Sequence, residues 1–399
     1  MAIHFEKTTT GAEDFELGLK RESPVRYTLT LPDSAEPRGL VFVIPGFGED
    51  SNSEYARKLR EFIADQYALA STSVMYHAIQ SRPANGGQLG FEDHDIELLT
   101  KKLQQYGSPI ANNIAENVNL LDQAITRAKA ENRCNIEMLF LNQYELLTSS
   151  IYPGQGEYQN FGVMQALDHL YVLGDLLQNV AFDRGNIIAF GSSHGGYIAN
   201  LMAKFAPNSF SAVLDNSSYA CAPLPYVVGR QLGCHEFLAT MSLNIAIACF
   251  VVSPWRLHPH EKNFFSDDRQ KIRSFLFDDD IKTMAAAGGN KTQYRFLHSE
   301  QDMIAKVEDK LKMATLLQDN GFDVRISLMG PKDVDGHFVK NLNHGMDLSL
   351  KTMFTKLYET IQPRQPQTDF DLNSEITYKG IDMDYTFTFR EKTLTAETT

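Results

Sequence analysis

Ile187-Ile-Ala-Phe-Gly-Ser-Ser-His-Gly-Gly196 is the stretch on which the reading of this chain turns. A short apolar run ends in Gly191-Ser192-Ser193-His194-Gly195, a G-x-S-x-G pattern centred on Ser193. Tyr197-Ile-Ala-Asn-Leu-Met-Ala-Lys-Phe205 follows with the apolar spacing of an amphipathic helix. Strand, sharp turn and helix together are the setting in which a serine is held on a strained turn with its hydroxyl exposed as a nucleophile. Gly191 and Gly195 suit that turn because side chains beside the serine would collide. The helix that starts there directs the positive end of its dipole at the serine. Without strand and helix around them, the same five residues would be an ordinary turn.

Working outward, composition sets the class. A chain of 399 residues with 43% hydrophobic and 11% aromatic content can bury a large core. A net charge of −13 argues against nucleic acid and against an anionic membrane surface, both of which need a basic face. The N-terminus, Met1-Ala-Ile-His-Phe-Glu-Lys7, lacks the apolar centre of a secretion signal, so the cytoplasm is the expected location. Ile245-Ala-Ile-Ala-Cys-Phe-Val-Val252 is the longest apolar run, too short to span a bilayer, and is expected to be a buried helix or strand. Cys134, Cys221, Cys234 and Cys249 form no C-x-x-C pair and are expected to be reduced, buried thiols.

The alternation of apolar strands and amphipathic helices predicts a doubly wound, mostly parallel α/β sheet. Phe15-Glu-Leu-Gly-Leu19 and Val25-Arg-Tyr-Thr-Leu-Thr-Leu31 alternate like a strand pair. Leu40-Val-Phe-Val-Ile44 reads as a central strand buried on both faces, and a helix capped by Ser53 follows it. The predicted core comprises residues 1–77, 157–218 and 292–362 of a domain spanning 1–362. Insertions are expected at 78–156, with helices from Asp95 to Tyr106 and from Asn112 to Glu131, and at 219–291. They are expected to roof the site as a cap. Asp267-Asp268 and Asp278-Asp-Asp280 within the second insertion read as solvated surface. The tail, 363–399, carries two alternating runs that predict a β-hairpin, packed on the sheet edge or on a partner subunit in a homo-oligomer.

A serine hydroxyl needs a base within hydrogen-bond reach and a carboxylate to orient that base. In α/β-hydrolases the chain order is serine, acid, histidine. Asp302, in the exit loop of the strand Gln293-Tyr-Arg-Phe-Leu-His298, is the preferred acid; Asp215, at the end of an earlier strand, and Glu300 are the alternatives. His344 is the preferred base because it stands in the loop before the last helix and is followed by Gly345; His337, in the same loop, is the fallback. The Pro45-Gly46-Phe47-Gly48 turn resembles the loop that donates to the oxyanion, which makes the backbone N–H groups of Phe47 and His194 the candidate oxyanion hole. The side chain of His194 is expected only to shape the pocket. His258 and His260 lack a third ligand at convincing spacing, so neither a metal nor another cofactor is expected.

Taken together, Pro45-Gly-Phe-Gly-Glu-Asp-Ser-Asn52, Ser81-Arg-Pro-Ala-Asn-Gly86, Glu157-Tyr-Gln-Asn-Phe-Gly162, Phe190-Gly-Ser-Ser-His-Gly-Gly196, Asp215-Asn-Ser-Ser-Tyr219 and His344-Gly-Met346 resemble a bacterial family of α/β-hydrolases first catalogued as a domain of unknown function. The resemblance covers most of residues 35–360. Members of that family tend to sit near genes for flagellin glycosylation, and the resemblance thereby implies an acylated sugar as substrate. The residues themselves predict a serine hydrolase acting on a small or medium acyl ester, with a small molecule as its partner. Tyr106, Tyr152, Tyr226 and Trp255 in the insertions are candidates to stack on sugar rings, with cap packing as the alternative. Acyl transfer through the same triad, peptidase activity and a non-catalytic binding module are the competing functions.

Overall fold

Leu40–Ile44 carries no polar residue, and all of it is buried, as a strand covered on both faces requires. The computed structural model that shows this describes residues 2–21, 23–33, 36–131, 144–364 and 367–399; Cys134 lies outside them. The chain divides into two units, one of Met1–Ile79, Asn160–Pro223 and His258–Thr399, the other of Gln80–Gln159 and Leu224–Leu257.

The larger unit is built on an eight-stranded sheet in the order β1-β2-β4-β3-β7-β8-β11-β12. Its strands are β1 Ile3–Thr9, β2 Val25–Leu31, β3 Leu40–Ile44, β4 Ala70–Met75, β7 Ile187–Ser192, β8 Ala212–Asn216, β11 Gln293–Ser299 and β12 Asp323–Met329. From β4 to β12 every neighbouring pair is parallel, while β2 runs antiparallel to both β1 and β4. The helices Glu54–Tyr67, Val163–Asn179, His194–Phe205, Val307–Asp319 and Leu350–Tyr358 make the crossovers and final cover. Ser53 caps the first of these by accepting the Ala56 amide at 3.2 Å. Leu59, Ile63, Ile188, Phe190, Leu214, Met353 and Phe354 join one continuous apolar cluster beneath the sheet. This is the doubly wound sheet of the α/β-hydrolase fold, with its loops at the carboxyl ends of the strands free to build a site.

Three expectations are corrected here. Residues 14–19 form a turn, not a strand: the Asp14 carboxylate accepts the amides of Glu16 and Leu17 at 3.0 and 3.1 Å. β1 takes the place beside β2 instead. The acidic clusters are partly buried, because Asp280 pairs with fully buried Lys204 at 2.7 Å. Asp268 accepts the amides of Ile381, Asp382 and Met383 at 2.7, 2.8 and 3.1 Å. Residues 258–291 group with the larger unit. The tail, finally, is a three-stranded sheet of β13 Glu375–Tyr378, β14 Tyr385–Arg390 and β15 Thr393–Thr398. It packs on the helical layer of its own chain, where Phe387 stacks on Phe205 with centroids 4.3 Å apart.

The smaller unit contains a second sheet, in the order β5-β6-β10-β9, from β5 Gln88–Gly90, β6 Glu145–Tyr152, β9 Phe237–Thr240 and β10 Ile245–Val251. β6 and β10 are parallel, and the helices Asp93–Gln105 and Ile114–Ala130 belong to the same unit. Cys249 is buried as expected, but Cys221 is half-buried and Cys234 exposed, all three free. No helix among the described residues is long and apolar enough to cross a membrane.

Glu16 ties three distant segments together. Its carboxylate receives the Arg273 guanidinium, with Nη1 at 2.9 Å, and the Tyr385 hydroxyl at 2.7 Å, in full burial. Burial raises the acid's pKa, but the Arg273 charge and the hydrogen bonds of Arg273 and Tyr385 outweigh it, so the carboxyl titrates below its ordinary value. Its stabilisation is therefore complete above the ordinary glutamate range and is lost as pH falls through the lower folded value. Glu16→Gln should cost about 3–5 kcal/mol at neutral pH by stranding the Arg273 charge. In urea unfolding, the gap between wild type and variant should narrow on acidification.

Candidate active site

β7 delivers Ser193 on a backbone with φ 54° and ψ −122°, a strained conformation for a residue with a side chain. Glycine makes the turn possible. A Cβ on Gly195 would lie 2.1 Å from the Ile44 carbonyl oxygen, and one on Gly191 would lie 2.3 Å from the Gly195 carbonyl carbon. The Ser193 amide donates to the Asn216 carbonyl at 2.7 Å, which pins the turn to the end of β8. The helix His194–Phe205 begins immediately, so its positive end faces the hydroxyl.

The Ser193 hydroxyl lies 2.6 Å from Nε2 of His344. Nδ1 of the same ring lies 2.8 Å and 3.0 Å from the two carboxylate oxygens of Asp302. Asp302 also accepts the amides of Ile304 and Ala305 at 2.9 and 2.8 Å, and its side chain is fully buried. Burial raises its pKa, yet the His344 hydrogen bond, the two amides and the His344 charge together hold the carboxyl below its usual range. Two contacts tie the loops together: Ser299 Oγ donates to the Leu342 carbonyl at 2.6 Å, and the Tyr219 ring stacks on the His344 ring. The histidine loop turns through positive φ at Gly345, Met346 and Asp347, and Met346 is buried in the main core, which anchors it.

The alternatives lie elsewhere. Asp215 is buried behind the elbow, paired with the buried ammonium of Lys310, and accepts Asn200 Nδ2 at 2.7 Å and Ser218 Oγ at 2.6 Å. Burial, offset by the Asp215 charge, leaves Lys310 titrating below an ordinary lysine. Glu300 and His337 are exposed. His194 is fully buried; its Nε2 meets Gln165 Oε1 at 2.7 Å, and burial, with a smaller contribution from His169, drives its pKa down to about 3. Its ring packs in the interior, edge-to-face with Phe47 at 5.5 Å, behind a residue of the pocket wall.

A cavity of about 600 Å³ opens over Ser193 and His344, lined also by Phe47, Tyr55, Asn216 and Lys340. The Gly46 amide is taken by the Glu49 carboxylate at 2.7 Å, and Phe47 follows at the pocket wall. Asn216 is the residue that sequence reasoning missed. Its amide donates to Ser192 Oγ at 2.9 Å and to the Gly345 carbonyl at 3.1 Å, joining the residue before the serine to the residue after the histidine. Its signal in the sequence was its place beside Asp215, inside the quoted Asp215-Asn-Ser-Ser-Tyr219 motif. His258 and His260 are exposed and stack on each other.

Sheet order, elbow and histidine loop define the class: an α/β-hydrolase fold with a serine, a histidine and an aspartate in hydrogen-bond sequence. The chain belongs to the family described as Protein of unknown function (DUF2920), matched over residues 5–397. No curated protein matches it. Among solved structures it is similar to an acylaminoacyl peptidase of Pyrococcus horikoshii, with 12% identity and a TM-score of 0.44 over 90% of this chain and 41% of that one. The chain thus spans about two fifths of that peptidase's length. Est1E from Butyrivibrio proteoclasticus gives 13% identity, a TM-score of 0.43, and coverage of 88% and 96%. An esterase of Pyrobaculum calidifontis gives 13%, 0.45, and coverage of 90% and 83%.

The lowered Asp302 pKa has a direct spectroscopic consequence. The carboxylate keeps its charge on acidification, so the His344 Nδ1 proton should remain hydrogen-bonded and visible as a far-downfield proton resonance through the mildly acidic range. Asp302→Asn should remove that resonance, and its persistence in the variant would place the bond elsewhere.

Proposed function

We propose that this protein is a serine-dependent hydrolase of carboxylic esters. The observation that carries the proposal is the continuous sequence of hydrogen bonds from the Ser193 hydroxyl through His344 to Asp302, at 2.6 and 2.8 Å. In this reading Ser193 Oγ attacks the ester carbonyl carbon while His344 Nε2 takes its proton. The carbonyl oxygen becomes an oxyanion beside the amides of Phe47 and His194. The ester C–O bond then breaks, and His344 returns the proton to the departing alcohol. Water attacks the acyl-serine by the same route in reverse and releases the acid. Asp302 remains a carboxylate throughout, orienting the imidazole and balancing its charge once protonated.

The substrate is a small or medium acyl ester, and an O-acylated sugar is the form we favour. The pocket supports a polar substrate, since Asn216, Lys340, Glu49 and Asp347 share its lining with Phe47 and Leu348. Two ranges of effect are expected with p-nitrophenyl acetate. Ser193→Ala should lower kcat by roughly a million-fold, and Asp302→Asn by about ten thousand-fold through the wrong imidazole tautomer. Ser193→Ala should also abolish labelling by a fluorophosphonate; labelling that survives would move the nucleophile elsewhere. Across p-nitrophenyl esters of rising chain length and acetylated sugars, turnover should favour short chains and include the sugars. A preference for long chains with no sugar deacetylation would leave the chemistry standing and remove the carbohydrate.

A further inference from the structure

The unit formed by Gln80–Gln159 and Leu224–Leu257 has a cavity of its own, about 480 Å³, that shares no residue with the pocket over Ser193. It lies at the carboxyl ends of the parallel strands β6 and β10, where Ser150, Tyr152, Phe250 and Val251 line it. That is the edge at which α/β units receive ligands, because the loops leaving parallel strands part there. Tyr226 and Trp255 also line it.

Two polar groups are prepared in it. The Arg230 guanidinium donates to Asp95 Oδ1 at 2.9 Å and to Ser150 Oγ at 2.8 Å, and lies over the Phe250 ring at 4.7 Å. Its orientation is fixed while its side chain keeps 29% exposure. The Glu236 side chain is only 4% exposed, and its Oε2 has no hydrogen-bond partner. Arg82 Nη1 stands 3.6 Å from that oxygen, beyond hydrogen-bond reach. Burial, only partly countered by Arg82, pushes the Glu236 carboxyl up to about 8, so near neutrality it can either donate or accept.

Charge decides the ligand class. Arg230 is balanced by Asp95, and the other charged lining residues, Arg256 and Glu92, are of opposite sign, so the cavity selects neither an anion nor a cation. What it offers is donors and acceptors side by side, with Tyr152 41% exposed and Tyr226 half-buried as ring surfaces. We propose that this cavity binds an uncharged saccharide, whose hydroxyls meet the Glu236 carboxyl and the Arg230 guanidinium and whose apolar ring face lies on a tyrosine. The inference is independent of the chemistry at Ser193.

Trp255 is the sole tryptophan of the chain and lines this cavity, so its emission reports on it selectively. The full-length protein is titrated with N-acetylglucosamine and maltotriose as neutral probes, glucuronate as the anionic probe and glucosamine as the cationic one. A saturable change in emission with a neutral probe is expected, weakened about tenfold or more in Tyr226→Ala and in Glu236→Leu, each of which removes a partner the ligand would use. Thermal unfolding checks each variant's fold, and Tyr226→Ala, near the surface, keeps the test intact if Glu236→Leu does not fold. Absence of saturation with both neutral probes overturns the proposal. Saturation by a charged probe alone overturns the ligand class, and saturation undiminished in the folded variants overturns the location.

Discussion

The close approach of two backbones at Gly195 is the constraint on which the site depends. β3 ends at Ile44 directly against the first turn of the helix His194–Phe205, close enough that a single methyl group at Gly195 would overlap the Ile44 carbonyl. Packed this tightly, the chain leaves β7 through the positive φ of Ser193, whose hydroxyl meets His344. The same contact brings the Pro45-Gly46-Phe47 turn beside the nucleophile. Strain at Ser193 persists because the packing around it over-determines the backbone.

Around that point the protein spends buried charge on holding elements in register. Three ion pairs, Arg273–Glu16, Lys204–Asp280 and Lys310–Asp215, are buried at both partners. Each joins segments far apart in the chain, and each would leave an uncompensated charge if one partner were lost. Lys310–Asp215 explains why two aspartates at comparable strand ends have different fates. Asp215 is neutralised behind the elbow, whereas Asp302 faces an imidazole and two amides. Chain order alone separates them weakly; the partner each meets separates them completely.

The histidine loop shows the same logic on a smaller scale. Its positive-φ residues would be costly in isolation, and the buried Met346 side chain, Asn216 and Ser299 compensate. Asn216 holds both halves of the site, so the distance between Ser193 and His344 is set by a side chain that carries no reactive group itself.

Much of this was legible in the residues. Uninterrupted apolar runs such as Leu40–Ile44 and Ile187-Ile-Ala-Phe190 specify central strands because both faces must be dry, and glycines flanking Ser193 specify the elbow because nothing larger fits. Ser193, Asp302 and His344 follow from chain order and loop position, and their side chains do meet. Tertiary structure alone decided the rest. β6 reads Glu-Leu-Leu-Thr-Ser-Ser-Ile-Tyr, without clean alternation, and becomes a strand by pairing with β10, a hundred residues away in Ser149↔Cys249. Asp268 and Asp280 look like solvated acids until backbone amides and Lys204 arrive from elsewhere. Local pattern reports what a residue prefers by itself, whereas the burial of a charge or the pairing of a polar strand depends on partners that only the folded chain brings near.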